Sequence, residues 1–169
     1  MVRVNDEMSD DIDDIDVIDN VDNKVNDETN AKTYDFYVAG PFFDPEQSDS
    51  MERLESVLER HGRKLFKPRF VSQIEEVGPD GCFRDDINGI LSSKAVIANL
   101  MDEDPGTMFE IGYAHALGMP VYGYSEGLTP MDRVNLMVAQ AVEMVFSGPD
   151  DLDRWLGTGE HEEIDYIQF

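Results

Sequence analysis

Short apolar runs alternate with amphipathic stretches along most of this chain, and that alternation sets the strongest limit on its fold. Five runs have the length and composition of strands: residues 35–40, 64–68, 95–100, 120–124 and 142–146. Helices are predicted at residues 45–61, 83–91, 107–117, 131–141 and 150–156, whereas residues 69–81 are expected to form a loop. Strands that alternate with helices predict a parallel sheet covered on both faces. We therefore predict an α/β fold, flavodoxin-like or Rossmann-like, with about five strands.

The charge of the chain limits its partners. The 169 residues carry a formal net charge of -24 at pH 7. A negative field of this size repels phosphate backbones, so polymeric DNA and RNA are not expected to bind.

No run of 18 or more apolar residues occurs, and the acidic N-terminus does not resemble a signal peptide. We therefore expect a cytoplasmic protein with no membrane span.

Neither a metal nor a cofactor is expected from the sequence. The single cysteine, Cys82, cannot form an intrachain disulfide, and the histidines are scattered. No group of histidines and cysteines has the spacing of metal ligands. The first predicted strand is not followed by the glycine-rich fingerprint of a dinucleotide site.

Residues 1–33 form a compositional zone of their own. Aspartates are so frequent in residues 10–19 that repulsion between like charges opposes collapse. We predict a disordered acidic tail over residues 1–33 and a single folded domain over residues 34–169.

Glu110 is the polar residue whose position most strongly suggests chemistry. The strand at residues 95–100 leads into the acidic loop 102–106, and Glu110 is expected on the first turn of the next helix. Open α/β sheets bind ligands at the carboxyl ends of their strands, where a carboxylate can act as a nucleophile or general base. Other side chains are expected to converge on the same crevice: Tyr37 in the first strand, Asp85 and Asp86 at a helix start, and Asp104 in the acidic loop.

Each of these residues also has a purely structural interpretation. Thr107 and Glu110 fit a capping box, in which Glu110 only satisfies the helix N-terminus. Aspartates at a helix start suit the macrodipole, and Asp104 suits an ordinary turn. Aromatic residues such as Tyr37, Phe42 and Phe43 are common in cores. The functional interpretation therefore depends on the whole set, in this order and at these spacings.

That set resembles the nucleoside 2-deoxyribosyltransferase family. The resemblance runs from Tyr34 to about Met137. It rests on Tyr-Val-Ala-Gly-Pro-Phe-Phe at 37–43 with Gln47 just after, Asp-Asp-Ile-Asn-Gly-Ile at 85–90, Asp104 ahead of Glu-Ile-Gly-Tyr-Ala at 110–114, and Asn-Leu-Met at 135–137. The family often ends on an aromatic residue whose terminal carboxylate enters the site, but residues 165–169 align poorly with that ending.

The resemblance implies a role for each matching residue. Glu110 corresponds to the nucleophile, Tyr37 to the tyrosine that orients it, and Asp86 and Asp104 to the aspartates that hold the base and move its proton. The other matches are substrate-binding: Phe42 and Phe43 as an aromatic wall, Gln47, and Asn135 and Met137 as residues lent to a neighbouring subunit. The implied partners are deoxynucleosides, free nucleobases and further copies of the chain, from dimer to hexamer.

These residue types suit the exchange of one nucleobase for another on deoxyribose. Breaking an N-glycosidic bond builds positive charge on the sugar, which a carboxylate can stabilise and then trap covalently while a second carboxyl acid protonates the leaving base. A second base then displaces the carboxylate in a ping-pong reaction. Asp86 can serve as the acid if burial and a neighbouring carboxylate raise its pKa.

Two other functions remain open from the sequence. A 2'-deoxynucleoside 5'-monophosphate N-hydrolase uses the same nucleophile but needs a cradle for phosphate, which the aromatic and acidic loop 40–46 disfavours. A nucleoside-binding or adaptor domain would use the acidic tail for interaction and Glu110 only as a helix cap.

Overall fold

The computed structural model describes residues 32–71 and 73–169. Except for residues 32 and 33, the predicted acidic tail lies outside the described residues, so the tail and its boundary stay predictions. In the described part of the chain, no helix is both long enough and apolar enough to cross a membrane.

A five-stranded parallel sheet forms the centre of the domain, which confirms the predicted α/β class. Its strands are β1 (Tyr34–Ala39), β2 (Leu65–Phe66), β3 (Ser93–Asn99), β4 (Val121–Tyr124) and β6 (Val145–Phe146), in the spatial order β2-β1-β3-β4-β6. A separate parallel pair joins β5 (Arg133–Val134) to β7 (Ile167–Gln168). The helices are α1 (Pro45–Arg60), α2 (Pro68–Val71), α3 (Ile74–Leu91), α4 (Pro105–Ala116), α5 (Leu136–Ala141) and α6 (Pro149–Thr158), with a 3-10 turn at Met101–Glu103.

Alternation along the strands divides the core between the two faces of the sheet. In β1, Phe36 and Val38 pack against the buried side chains of α1 and against Leu152 of α6. Tyr37 and Ala39 point the other way, into a cluster with residues of α3, α4 and α5. Successive strand side chains point to opposite faces, so an apolar run such as β1 needs a helical layer on each side. This arrangement directs Tyr37 toward the helices that carry Asp86 and Glu110.

The loop prediction for residues 69–81 is wrong, because helix α2 ends at Val71 and α3 begins at Ile74. Gly78 and Pro79 suggest a chain break, but they only kink α3. Gly78 has a φ of 70°, and Pro79 opens the second part of the helix, where a missing N–H costs little. The aspartates at 85 and 86 therefore lie well inside α3 and not at a helix start.

The helix prediction for residues 131–141 is also wrong in its first half. The helix is confined to α5, and Asn135 caps it by accepting a 2.9 Å hydrogen bond from the Met137 N–H. Residues 133–134 form β5 instead, because their partner strand, β7, lies near the C-terminal end of the sequence. A pairing between such distant residues leaves no periodic signal in either segment.

Candidate active site

The strand order creates a crevice between the carboxyl ends of β1 and β3. From β1 the chain runs to β2, which flanks β1 on one edge, and then returns to β3, which flanks β1 on the other edge. Open α/β sheets bind ligands where the strand order reverses in this way. Gly40 follows β1 with a φ of 156°, and a Cβ there would collide with the Met51 sulfur and lie 2.9 Å from the Asn99 Cβ. Residue 40 therefore has to be glycine, because the backbone after β1 passes close to Met51 of α1 and to Asn99 at the end of β3.

Glu110 lies in the second turn of α4 and does not cap it. The N-cap is Asp104, whose Oδ2 accepts hydrogen bonds from the Thr107 N–H at 2.8 Å and the Thr107 hydroxyl at 2.9 Å. The capping-box interpretation of Glu110 is wrong, because Thr107 is inside the helix and receives the cap instead of supplying it. The predicted place of Glu110 on the first turn is corrected by one turn, and its carboxylate is left available for chemistry.

Tyr37 holds the Glu110 carboxylate. The Tyr37 hydroxyl donates a short hydrogen bond to Oε1 of Glu110, and the Tyr37 side chain has no exposed surface. Burial is the main cause that raises the pKa of the Tyr37 hydroxyl, and the neighbouring Glu110 raises it further. Tyr37 therefore stays protonated and acts as a fixed donor to one carboxylate oxygen, and no described residue forms a hydrogen bond with the other oxygen.

The environment of Glu110 sets its pKa near neutrality. Burial raises the pKa of the Glu110 carboxyl to about 7, the hydrogen bond from Tyr37 opposes that rise, and the charges of Asp86 and Asp104 add to it. A nucleophile with a pKa close to working pH is partly ionised there and is poorly solvated, and both properties favour attack on an electrophilic carbon.

Asp86 on α3 is near enough to Tyr37 and Glu110 for its charge to act on both, and its own carboxyl has a raised pKa. Burial raises the pKa of its carboxyl, and the neighbouring charge of Asp85 raises it further. The described residues offer its side chain no hydrogen bond, and its charge also raises the pKa of Tyr37 and Glu110. The pKa of Asp86 thus shifts in the direction that a general acid requires, and the shift has the two causes expected from the sequence.

A close contact between α3 and β2 places Asp86 beside Tyr37. A Cβ at Gly89 would collide with the Phe66 ring, so α3 comes this near only because residue 89 is glycine. The Phe66 ring also stacks on Tyr37, with centroids 5.4 Å apart and an angle of 11° between the planes. Gly89 and Phe66 are site residues that the sequence predictions missed, although Gly89 lies in the motif that contains Asp86.

Phe42, Phe43 and Gln47 lie on the loop and helix that follow β1. The two phenyl rings stack with centroids 5.1 Å apart, and Phe43 is 74% exposed. Exposed, stacked rings beside a ligand crevice can contact a planar ligand. Gln47 is only 8% exposed, and both ends of its side-chain amide bond protein groups.

Asn135 and Met137 lie apart from the Glu110 side of α4. They line a cavity of about 540 Å³ between α4 and α5, whose wall includes Met108 and Ile111 but not Glu110. The Met137 side chain is 77% exposed. Within one chain, therefore, these two residues do not join the group formed by Tyr37, Asp86 and Glu110.

The arrangement can perform nucleophilic substitution assisted by an acid. It has one oriented carboxylate, one carboxyl with a raised pKa and an exposed aromatic pair at the edge where α/β sheets bind ligands. In the part of the chain that the structure describes, no group of three or more His, Cys, Asp and Glu residues is arranged to hold a metal ion.

Known proteins share both the sequence pattern and the fold. The model of the nucleoside 2-deoxyribosyltransferase family matches residues 36–152. The 2-deoxyribosyltransferase of Bacillus psychrosaccharolyticus is similar at 28% identity and a TM-score of 0.62, over 70% of this chain and 90% of that one. No curated protein matches the sequence.

Two more distant structures show the fold alone. A conserved protein of Enterococcus faecalis V583 is 19% identical with a TM-score of 0.63, over 75% of this chain and 99% of that one. The CMP N-glycosidase of Clostridium botulinum is 19% identical with a TM-score of 0.50, over 72% and 97%. Because the family pattern spans more than half of the chain, this protein belongs to the nucleoside 2-deoxyribosyltransferase family and is a deoxyribosyltransferase-like enzyme.

Proposed function

We propose that the protein transfers the 2-deoxyribosyl group from one nucleobase to another through a covalent bond between the sugar and Glu110. The observation that carries this proposal is the oriented, partly ionised Glu110 carboxylate, held by Tyr37 and faced by the protonatable Asp86. Membership of the family and the likeness to a 2-deoxyribosyltransferase support the same reaction.

In the first half-reaction, an oxygen of ionised Glu110 attacks C1' of the deoxynucleoside. The C1'–N bond breaks, its electron pair stays with the base, and the proton of Asp86 neutralises the departing nitrogen. The second half-reaction reverses these steps with a new base, which returns its proton to Asp86 and displaces Glu110. Two inversions at C1' retain the configuration, and no redox partner is needed.

The test is incubation with thymidine or deoxyinosine together with free adenine. We expect deoxyadenosine to form, and we expect a covalent deoxyribosyl adduct on Glu110 when the nucleoside is supplied alone. Ribonucleosides serve as the control and should react much more slowly, because a 2'-hydroxyl withdraws electrons from the cationic transition state. Release of free deoxyribose with no deoxyadenosine would contradict the transferase function in favour of hydrolysis.

Hydrolysis of a deoxynucleoside 5'-monophosphate is the alternative that the same assay separates. The loop after β1 contains aromatic and acidic residues and no lysine or arginine over residues 40–46, which disfavours a bound phosphate. The assay therefore includes the 5'-monophosphate of the same nucleoside, and faster turnover of that compound would favour the hydrolase.

We also propose that the protein is a homo-oligomer in which Asn135 and Met137 complete the site of a neighbouring subunit. The exposed Met137 side chain lies beside Asn135, whose Oδ1 caps α5 and whose Nδ2 has no acceptor among the described residues. An apolar side chain that is 77% exposed costs less when a second copy covers it.

Complementation between two inactive variants tests this sharing. Glu110→Gln removes the nucleophile, and Asn135→Asp keeps an oxygen for the α5 cap but loses the amide donor. When both are co-expressed in a dimer, roughly one quarter of the sites regain both residues and activity should reappear to that extent. A mixture as inactive as its components would show that each chain uses its own Asn135.

A further inference from the structure

Gln47 connects the two loops that border the crevice. Its Oε1 accepts a hydrogen bond from the Phe43 N–H at 2.8 Å, and its Nε2 donates to Oδ2 of Asp102 at 2.9 Å. Phe43 belongs to the loop after β1, and Asp102 belongs to the turn after β3. The buried amide of Gln47 is therefore a bridge between the loop after β1 and the turn after β3, at the point where the strand order reverses.

The Asp102 end of this bridge lies in an unusual backbone conformation. Asp102 and Glu103 have φ values of 58° and 49°, in the left-handed region that residues other than glycine seldom occupy. Such conformations persist where other contacts hold them. This turn leads directly to Asp104, the N-cap of α4, so its position sets where the helix that carries Glu110 begins.

The Phe43 end of the bridge holds the aromatic pair. Gln47 is also tied to its own helix start, because its N–H donates to Oδ1 of Asp44 at 2.9 Å. Together these bonds fix the loop that presents Phe42 and Phe43, whose rings stack on each other and are exposed. Both polar ends of the Gln47 side chain are thus used within the protein.

We propose that Gln47 is a positioning residue that sets the distance between the aromatic pair and the Glu110 helix through its bond to Asp102. This inference rests on the proposed base exchange for its activity readout. It differs from the role that the family resemblance implies for Gln47, which is direct contact with substrate. Misplacement of a reacting group by about 1 Å can cost on the order of 100-fold in rate.

Exchanging the donor and the acceptor of the bridge tests the proposal. Gln47→Glu removes the amide donor of the bridge and sets a second carboxyl group against that of Asp102. Asp102→Asn keeps an acceptor oxygen for Gln47, and asparagine tolerates the left-handed conformation. In the double variant, the asparagine amide can donate to the glutamate, so the bridge forms again with its polarity reversed. Ser56→Glu is the matched control, because it adds the same charge to an exposed position of α1.

We expect Gln47→Glu to lower kcat by about 100-fold with a smaller change in KM. Asp102→Asn alone should be close to the parent protein, and adding it to Gln47→Glu should restore kcat by about tenfold or more. Ser56→Glu should leave both constants nearly unchanged. If Gln47 instead contacts substrate, KM carries the loss and Asp102→Asn restores nothing, which would overturn the proposal.

Hydrogen exchange separates a failure of this inference from a failure of the proposed function. The backbone amide of Glu103 reports on the turn that contains Asp102, and it should exchange faster in Gln47→Glu and recover in the double variant. The Phe43 amide keeps a side-chain acceptor in both variants and serves as the reference. This result needs no substrate, so it would stand even if the parent protein did not exchange bases. Unchanged protection of the Glu103 amide in Gln47→Glu would show that the bridge does not hold the turn.

Discussion

Replacing Glu110 with glutamine is expected to abolish base exchange and, at the same time, to stabilise the folded protein at neutral and higher pH. Glutamine keeps an oxygen that can accept the Tyr37 hydrogen bond but cannot form the covalent intermediate, so exchange should fall on the order of 10⁴-fold or more. Because Asp104 and not Glu110 caps α4, the helix loses no cap. Initial rates of deoxyadenosine formation measure the first effect.

The gain in stability follows from the raised pKa of Glu110, which is about 7 in the folded protein against an ordinary 4.5. Protonated Glu110 contributes stability that is fully present below the ordinary pKa and is lost as the pH rises through 7. Glutamine does not titrate, so its advantage should be absent near pH 4 and reach about 3 kcal/mol near pH 8.

Denaturant unfolding of both proteins at the two pH values measures this difference. An equal free energy of unfolding at both would show that the folded protein does not raise the pKa of Glu110. Near-normal exchange by a folded Glu110→Gln protein would remove Glu110 from the nucleophile role.

Replacing Asp86 with asparagine is expected to slow exchange in proportion to how poorly the base leaves. Asparagine has the size of aspartate but cannot supply a proton, so unactivated purines and pyrimidines should lose about 100- to 10,000-fold in kcat/KM, the usual contribution of a general acid. A base surrogate with an activated, nitrophenyl-like leaving group needs no proton and should lose far less.

The neighbouring carboxylate provides a matched control for this experiment. Asp85→Asn removes the same charge from the same helix and leaves the acid in place. Because the charge of Asp85 helps to raise the pKa of Asp86, this variant should keep its activity and shift the alkaline limb of the pH profile to lower pH. Equal slowing of good and poor leaving groups by Asp86→Asn would exclude the acid role.

The sheet was predictable from the sequence because strands and helices have different periods. The apolar runs that became β1, β3 and β4 each carry enough local signal to be found. The pairing of β5 with β7 carries none, because it depends on residues far apart in the chain. At residues 78 and 79, glycine and proline indicate a break, but they only kink α3, because Gly78 adopts a left-handed φ of 70° and Pro79 opens the second part of the helix.

The candidate site was predictable in its residue types but not in its contacts. The position of Glu110 after an acidic loop points to the crevice, yet its bond to Tyr37 joins residues 73 positions apart. Asp44 and Gln47 show the spacing of a capping pair, but nothing local indicates that the amide continues to Asp102. The contact of Asp102 with Gln47 was not predicted, because no residue pattern in the sequence distinguishes this left-handed turn from other acidic loops.

The contact between Gly89 and the Phe66 ring has an evolutionary consequence. The ring contacts both the helix of the proposed acid and the tyrosine that holds the proposed nucleophile, and it is also part of the buried core. A larger residue at either position would change the spacing of the reacting groups and the packing density together. Selection for catalysis and selection for stability therefore act on the same atoms, so new substrate preferences should arise in the exposed loops before they arise here.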